Sequence, residues 1–382
     1  MGRISKANHY LLCCGDATDI NTWSNTPYFL LNSGLETGFL TSGLPLKPEL
    51  LKKDRFIWNI FQLLRDGKAG GFQYSKIFAK KMMKQVNISS NHGCHILSLF
   101  PLLPAYPWPS TWNISFYIDA TTSQVFDSYG VSERIGKRYK SIILEREKSA
   151  YRQAKAVICM DQWAADSVID DYDIAASKVH VVPGGANIDE KVINRLPFRE
   201  PPMHPSSDSP LRLGFLGKDW CRKGGPFLLT VAEALEELNI PVVIRAIGPD
   251  NSKLPIHRCL QPVGFIDKRN DLGQFIEEVQ GWHFGTLFSE AEAFGISNRE
   301  CLRLGVPVLS HDIGGIASTI PDSGCGKLFS CNPSSTEVAQ WIAAKIDPYN
   351  NYLEMRETLA LRCNEFTWRA ATVQLEKILN LK

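Results

Sequence analysis

Short apolar runs alternate with helical patterns along this chain, and the alternation is interrupted once. Strand-like runs occupy residues 10–14, 95–100, 114–118, 156–160 and 178–182, with helical patterns at 26–38, 132–154 and 162–172. Strand and helix in turn are the mark of βαβ units, whose parallel sheet must be covered by helices on both faces. Residues 197–210 then read PFREPPMHPSSDSP, with five prolines and three serines in fourteen positions. Proline removes backbone donors and serine competes for them, so the stretch reads as a boundary loop. Beyond it the pattern restarts, with strands at 211–216, 241–247, 282–288 and 306–310, helices at 226–238, 271–279 and 296–304, and a helical tail from 335. This predicts two α/β domains hinged near residue 200, with a ligand expected in the cleft between them, at the carboxyl ends of the strands.

Composition agrees with that division. A chain of 382 residues suits two domains of about 100–200 residues each. Its 44% hydrophobic and 21% charged content excludes disorder and fibrous repeats, and its net charge of +2 excludes the global basic field of a nucleic-acid binder. The charge is uneven. Between Lys47 and Lys84 ten Lys and Arg face three acids, a local net of +7. Within this island Phe72, Tyr74, Ile77, Phe78, Met82 and Met83 interleave with Lys76, Lys80, Lys81 and Lys84. Residues 72–84 thus read either as a basic amphipathic stretch for anionic lipid or as a core-facing stripe with a solvated charged face.

The ten cysteines contain no C-x-x-C pair, and several lie in apolar runs, which favours a reducing cytoplasm. Only Cys94 has histidines close by, His92 and His95, so a metal site is not expected. The sequons at Asn87 and Asn113 would matter only in a secreted chain, and no apolar run approaches the roughly 20 residues of a membrane span. The N-terminus lacks the apolar core of a signal peptide, and Lys6 stands where a myristoylation signal wants Ser or Thr.

Two segments of the second half carry chemistry. The strand at 211–216 ends in Gly217, followed by Lys218, Lys223 and the pair Gly224-Gly225. Glycine permits the tight turn, two lysines can meet an anion, and the following helix start offers free N–H groups. The second segment, SEAEAFGISNRECLRLGVPVLS at 289–310, sets Glu292 and Glu300 eight apart. Gly295 falls where a helix begins, so the N–H groups of Phe294, Gly295 and Ile296 can face a phosphate, while Glu292 and Glu300 can accept from sugar hydroxyls. An acid near a helix start also has the plainer role of favouring the dipole, which is the reading for Glu290.

These residues resemble retaining glycosyltransferases of family 4, with the GT-B fold of two Rossmann-like domains and a C-terminal helix crossing back. The family's E-x7-E pattern corresponds to Glu292 and Glu300, with Phe294-Gly295 and the G-V-P-V at 305–308 beside it. Its G-R-x-x-x-x-K-G element corresponds to Gly217-Lys218 through Lys223-Gly224, with lysine in place of the usual arginine. The likeness continues through residues 264–267, Gly314-Gly315 and 181–189, and thins over residues 40–110. It implies an acceptor domain at 1–195, a donor domain at 211–365 and a helix at 366–382 packing back on the first.

The resemblance also implies roles. Lys218 and Lys223 would neutralise the diphosphate of a nucleotide-sugar, a UDP- or GDP-sugar. Glu300 would hold the ribose, Glu292 the transferred sugar, and backbone at Phe265 and Ile266 would meet the base. On the acceptor side, Ser24, Asn25 and Thr26 stand where the family has a glycine-containing loop, with Asn25 in the glycine's place. Asp119 is the candidate for the polar group that relatives supply as a histidine; a turn-capping role fits it equally. Neither a metal nor a cofactor is expected, because fixed cations and helix-end N–H groups can stabilise the departing diphosphate. The acceptor would be a hydroxyl, on a glycan or lipid-linked, and the enzyme cytoplasmic, at most at the inner membrane surface. An epimerase of the same fold and a non-catalytic nucleotide-sugar binder are the rival readings. Asp171-Tyr172-Asp173 matches the D-x-D of metal-dependent transferases but lies between a helix and a strand, as solvated loop acids do.

Overall fold

The computed structural model describes residues 8–86, 88, 93–196 and 199–380. They form two compact units, one of residues 1–183 with 371–382 and the other of residues 184–370. His92, Asn87 and the segment containing Met1, Gly2 and Lys6 lie outside the described residues.

The first unit runs β1 (Asn8–Leu12), α1 (Thr26–Glu36), β2 (Ser42–Gly43), α2 (Lys52–Asp66), α3 (Lys76–Met83), β3 (Cys94–Ser98), β4 (Trp112–Ile118), α4 (Thr122–Ser128), α5 (Lys137–Gln153), β5 (Ala156–Cys159), α6 (Gln162–Asp170) and β6 (Val179–Val181). Its strands form one sheet in the order β2-β1-β3-β4-β5-β6. Every pairing is parallel, with Leu11 beside Leu97, Ile96 beside Ile114 and Phe116 beside Val157. All five residues of β3 and all four of β5 are buried, as expected of central strands covered on both faces.

The second unit adds α7 (Glu190–Ile193), β7 (Leu211–Leu216), α8 (Gly225–Glu237), β8 (Val242–Ile247), β9 (Leu260–Gly264), α9 (Leu272–Gln280), β10 (Phe284–Leu287), α10 (Ile296–Arg303), β11 (Val308–His311), β12 (Gly326–Phe329), α11 (Ser335–Ile346) and α12 (Asn350–Arg362). Its sheet order is β12-β11-β10-β7-β8-β9, again parallel throughout. At its centre a side chain on Gly214 of β7 would stand 1.8 Å from the Trp282 ring, so the strand carries glycine to admit the indole. The last helix, α13 (Trp368–Asn380), begins in the second unit and ends in the first.

The boundary differs from the one expected. The chain passes between units after Pro183 and again after Ala370, not at the proline-rich stretch. Residues 184–196 are fastened to the second unit. The guanidinium of Arg299 donates to the Gly184 carbonyl at 2.9 Å, Arg303 pairs with Glu190 at 2.5 Å, and the Ala186 N–H donates to the Phe366 carbonyl at 2.7 Å. The Trp368 indole donates to Asn187 at 2.8 Å, which holds the start of α13 there too. The described part of the proline-rich stretch is a strap on the second unit. Arg199 donates to the Glu277 carbonyl, Tyr349 to the Pro202 carbonyl, and His283 meets the Met203 carbonyl at 3.1 Å. From Ala371 onward α13 belongs with the first unit, where Leu375 is fully buried and Lys155 donates to the Leu379 carbonyl at 2.6 Å.

Residues 72–84 are a core-facing stripe. Phe72, Tyr74, Phe78 and Met82 are buried in the first unit, and the lysines of α3 form its polar side. Four of its six apolar side chains are thus used in the core, which favours that reading over the lipid-facing one, although Ile77 is 50% exposed and Met83 half-buried. Asp171 and Asp173 are exposed, the former accepting from Ser167 and the latter pairing with Arg152, so the D-x-D match is surface loop. His95 is buried against Ser115 at 3.0 Å, and burial lowers its pKa to about 3, which keeps it neutral. No group of three or more His, Cys, Asp or Glu among the described residues could hold a metal ion, and none of their helices is long and apolar enough to cross a membrane. The ten cysteines are unpaired.

Candidate active site

In the second unit the two sequence motifs meet, because β7 and β10 are neighbours in the sheet and both motifs follow their carboxyl ends. Gly217 ends the first turn. A side chain there would stand 2.2 Å from the Lys223 stem and would displace that lysine. Gly224 has φ of +81°, and a Cβ on it would be 2.1 Å from the Phe288 carbonyl oxygen, so the backbone after Lys223 lies against the end of β10. Lys223 thereby reaches Glu292, Nζ to Oε2 at 2.8 Å, with both side chains largely buried.

Two donors and a third, more distant cation hold Glu292. Besides Lys223, the Ser289 hydroxyl donates to it at 3.1 Å and Arg222 lies 3.7 Å from the same oxygen. Arg222 also donates to the Ala291 carbonyl at 2.6 Å, and its own carbonyl accepts from the Glu290 N–H at 2.8 Å. Behind the loop, Gly314 leaves no room for a side chain, since its Cβ would stand 2.0 Å from the Glu292 carbonyl oxygen. A carboxylate so contacted is fixed in position. Arg222 and Ser289 carry no recognisable signal in the sequence; only the fold brings them to Glu292.

Glu300 lies one helix further in. It is 3% exposed, and Lys268 grips its Oε1 at 2.5 Å. Lys268 rests over the Phe275 ring, 4.3 Å from its centre, which fixes the ammonium. Lysine and acid are 32 residues apart, a pairing no local motif records. Lys218 is exposed, with its Nζ 5.8 Å from the centre of the Phe265 ring. Phe265 is 67% exposed, unusual for a large aromatic at a strand end, whereas Ile266 is buried.

Gly295 caps α10 in a left-handed conformation, φ +90°, which turns the chain into the helix. Phe294 and Gly295 are buried and Ile296 half-buried, so the first-turn N–H groups open at one restricted place. The Ser297 hydroxyl in that turn is buried without a hydrogen-bond partner. A buried hydroxyl normally finds a partner, so this one points to an acceptor supplied from outside the chain. Deeper in α10, Asn298 donates to Ser310 at 3.0 Å and Thr319 at 2.9 Å, locking the helix to the sheet.

In the first unit the predicted residues follow carboxyl ends of strands. After β1, three consecutive residues adopt positive φ, Trp23 at 33°, Ser24 at 53° and Asn25 at 69°, before Thr26 and Pro27 open α1. Asn25 takes the left-handed turn that the resemblance leads one to expect of glycine, and its side-chain amide donates to the Ile20 carbonyl. Asparagine is among the few residues that adopt this conformation readily. Asp119 follows β4 and is half-buried. Two residues past the adjacent strand β5 stands a second acid, which no motif in the sequence singles out. Asp161 is fully buried, its Oδ1 accepts from the Ala164 N–H at 2.7 Å to cap α6, and its Oδ2 has no partner. Burial, with repulsion from Asp119 and Asp166, raises its pKa to about 8. The signal in sequence was only a helix-capping aspartate.

Comparison with known proteins bears on the fold. Residues 95–190 match the model of the family described as Glycosyltransferase Family 4. The chain is 24% identical over 233 residues to a D-inositol 3-phosphate glycosyltransferase of Corynebacterium aurimucosum, covering 55% of this chain. The match spans about half of that relative, 53% of its length. Among solved structures, sucrose-phosphate synthase of Thermosynechococcus elongatus superposes with a TM-score of 0.63 at 13% identity, over 97% of this chain and 98% of that one. A glycosyltransferase of Rickettsia africae gives 0.58 at 16%, over 99% and 100%, and Anabaena HepE in complex with UDP gives 0.58 at 13%, over 97% and 99%. The chain therefore has the GT-B fold, and its residues 95–190 are similar to the family described as Glycosyltransferase Family 4.

Proposed function

We propose that this chain is a retaining, hexosyltransferase-type glycosyltransferase that moves a sugar from a UDP- or GDP-sugar to a hydroxyl acceptor without a metal ion. The observation that carries the reading is the convergence of Lys223, Arg222 and Glu292 at the ends of β7 and β10, beside a helix start with an unpartnered buried hydroxyl at Ser297. This is the equipment that anomeric bond cleavage calls for. As the bond from the anomeric carbon to the diphosphate oxygen breaks, negative charge gathers on the departing nucleotide. Lys223 and Lys218 supply cations there, and the first turn of α10 supplies N–H donors and the Ser297 hydroxyl. Glu292, held by these contacts, accepts from the hydroxyls of the transferred sugar. Glu300 takes the ribose diol, and the exposed Phe265 with the backbone at Ile266 meets the base.

Retention follows if the acceptor hydroxyl attacks the face that the diphosphate leaves. Its proton then passes to the leaving phosphate oxygen, and no protein nucleophile is needed. The left-handed loop at Ser24, Asn25 and Thr26 and the half-buried Asp119 are the acceptor-side groups. Ten unpaired cysteines suit a reducing cytoplasm.

The test is nucleotide release with a panel of nucleotide-sugars, joined to NMR of the product anomer. Lys223→Ala and Glu300→Ala each lower turnover about 100-fold or more, the range for losing a group that stabilises developing charge. Undiminished turnover in both variants, an inverted product, or an epimerised sugar formed without acceptor would overturn the reading.

A further inference from the structure

Helix α2 is built the wrong way round for a helix that covers a core. Phe56, Ile57, Ile60, Phe61, Leu63 and Leu64 are all exposed, Phe56 at 67% and Leu64 at 83%. At 100° per residue these six fall within an arc of about 160°, one continuous apolar face turned to solvent. The inward side is mostly polar, with Trp58 as its aromatic contact to Phe72 and Tyr139. Gln62 is buried, Asp54 pairs with Lys81 of α3, and the Trp58 indole donates to the Gly70 carbonyl at 2.9 Å. Lys52, Arg55 and Asn59 line a cavity of about 760 Å³ together with Gln73, Tyr74 and Arg134. Leu50 in the turn before the helix extends the exposed face.

Six large apolar side chains on one exposed face exceed the scattered surface hydrophobics of an ordinary monomer and need an occupant. The charge around them selects it. The face sits inside the segment of net +7, with Lys53 at one end of the helix and Lys68 just beyond the other, where Arg65 is paired with Asp66. A symmetric dimer would bring two such patches together, and their like charges would repel. An anionic bilayer complements both features at once, taking the apolar arc among its acyl chains and the cations among its headgroups.

We propose that α2 is a lipid-docking helix that seats the first unit on an anionic membrane surface, with Phe56, Ile60 and Leu64 at the centre of the buried face. The proposal stands apart from the sugar-transfer reading, because no residue of α2 belongs to the candidate active site.

The full chain is mixed with phosphatidylcholine vesicles, with and without phosphatidylglycerol, and co-sedimentation is measured. Binding to the anionic vesicles, weakened by salt, is expected. Ile60→Asp with Leu64→Asp lowers it about tenfold or more, since each removes a buried aliphatic group. Both positions are exposed, so the melting temperature stays unchanged, and nucleotide release in solution is also unaffected. Size-exclusion chromatography with light scattering covers the other occupant. A concentration-dependent dimer abolished by the same double variant would overturn the proposal, as would equal binding to neutral vesicles, binding to neither, or binding that the double variant leaves intact.

Discussion

Asp161 shows how much one side chain can hold. It is fully buried at the end of β5, caps α6 with one oxygen and leaves the other unpartnered. Burial lifts its pKa to about 8 from an ordinary value near 3.9. Between those two values the folded protein holds a proton that the unfolded chain releases, so stability is fully present at the acid end and declines as pH rises through about 8. Asp161→Asn keeps the helix cap, because the amide oxygen still accepts from the Ala164 N–H, and removes the ionisation. The variant should melt higher than the parent, by a margin that grows from pH 4 to pH 8 and reaches at least ~2 °C, the shift worth roughly 1 kcal/mol in a protein of this class. Thermal unfolding followed by circular dichroism across that range checks it; a margin that stays flat or shrinks would count against the assignment. Glu147 is the contrast. It is equally buried, but it accepts from Thr122, Tyr151 and Tyr172, so its environment is satisfied.

At the scale of the element, α10 gathers most of the candidate donor site, and its Ser297 hydroxyl serves nothing inside the fold. Ser297→Ala should therefore leave the melting temperature unchanged or slightly raised, since deleting an unsatisfied buried hydroxyl costs nothing. If the hydroxyl donates to the donor's phosphate, the KM for the nucleotide-sugar rises about tenfold, the worth of a hydrogen bond to a charged group. Steady-state kinetics with unchanged KM would remove Ser297 from the site. The same helix shows what is legible in sequence. Gly295, Glu292 and Glu300 were readable because a capping glycine and two acids at fixed spacing make a local pattern. Lys268, Arg222 and Ser297 were not, because their meaning arises from neighbours far along the chain or from an orphaned atom. The strands β3, β5, β7 and β10 were legible as apolar runs, being buried on both faces. Short β2 and β12, and β9 with its exposed Gln261 and Pro262, offer no such run. Helix α2 has as clear an apolar period as a core helix, but a period does not reveal whether its stripe faces the core or solvent.

At the scale of the whole molecule, the division into two units was readable but its position was not. Composition marks the proline-rich stretch, whereas hydrogen bonds decide where the second unit begins. Arg299 and Arg303 are buried and depend on Gly184 and Glu190 for partners. A fragment of residues 184–370 should fold and melt cooperatively. A fragment of residues 211–365, cut where composition suggests, leaves both guanidiniums without those partners, a loss of about 1–3 kcal/mol for each buried donor left unsatisfied. It should be far less stable, or unfolded, by the same melting measurement, and equal stability of the two fragments would show the 184–196 segment to be dispensable. The double crossing also orders events during synthesis. Residues 184–370 are contiguous, so the second unit can close as soon as they have left the ribosome. The first unit waits for residues 371–382, which are made only after the whole of the second and bring Leu375 and Leu379 to bury against it. The half that is translated first is thus the half that is completed last.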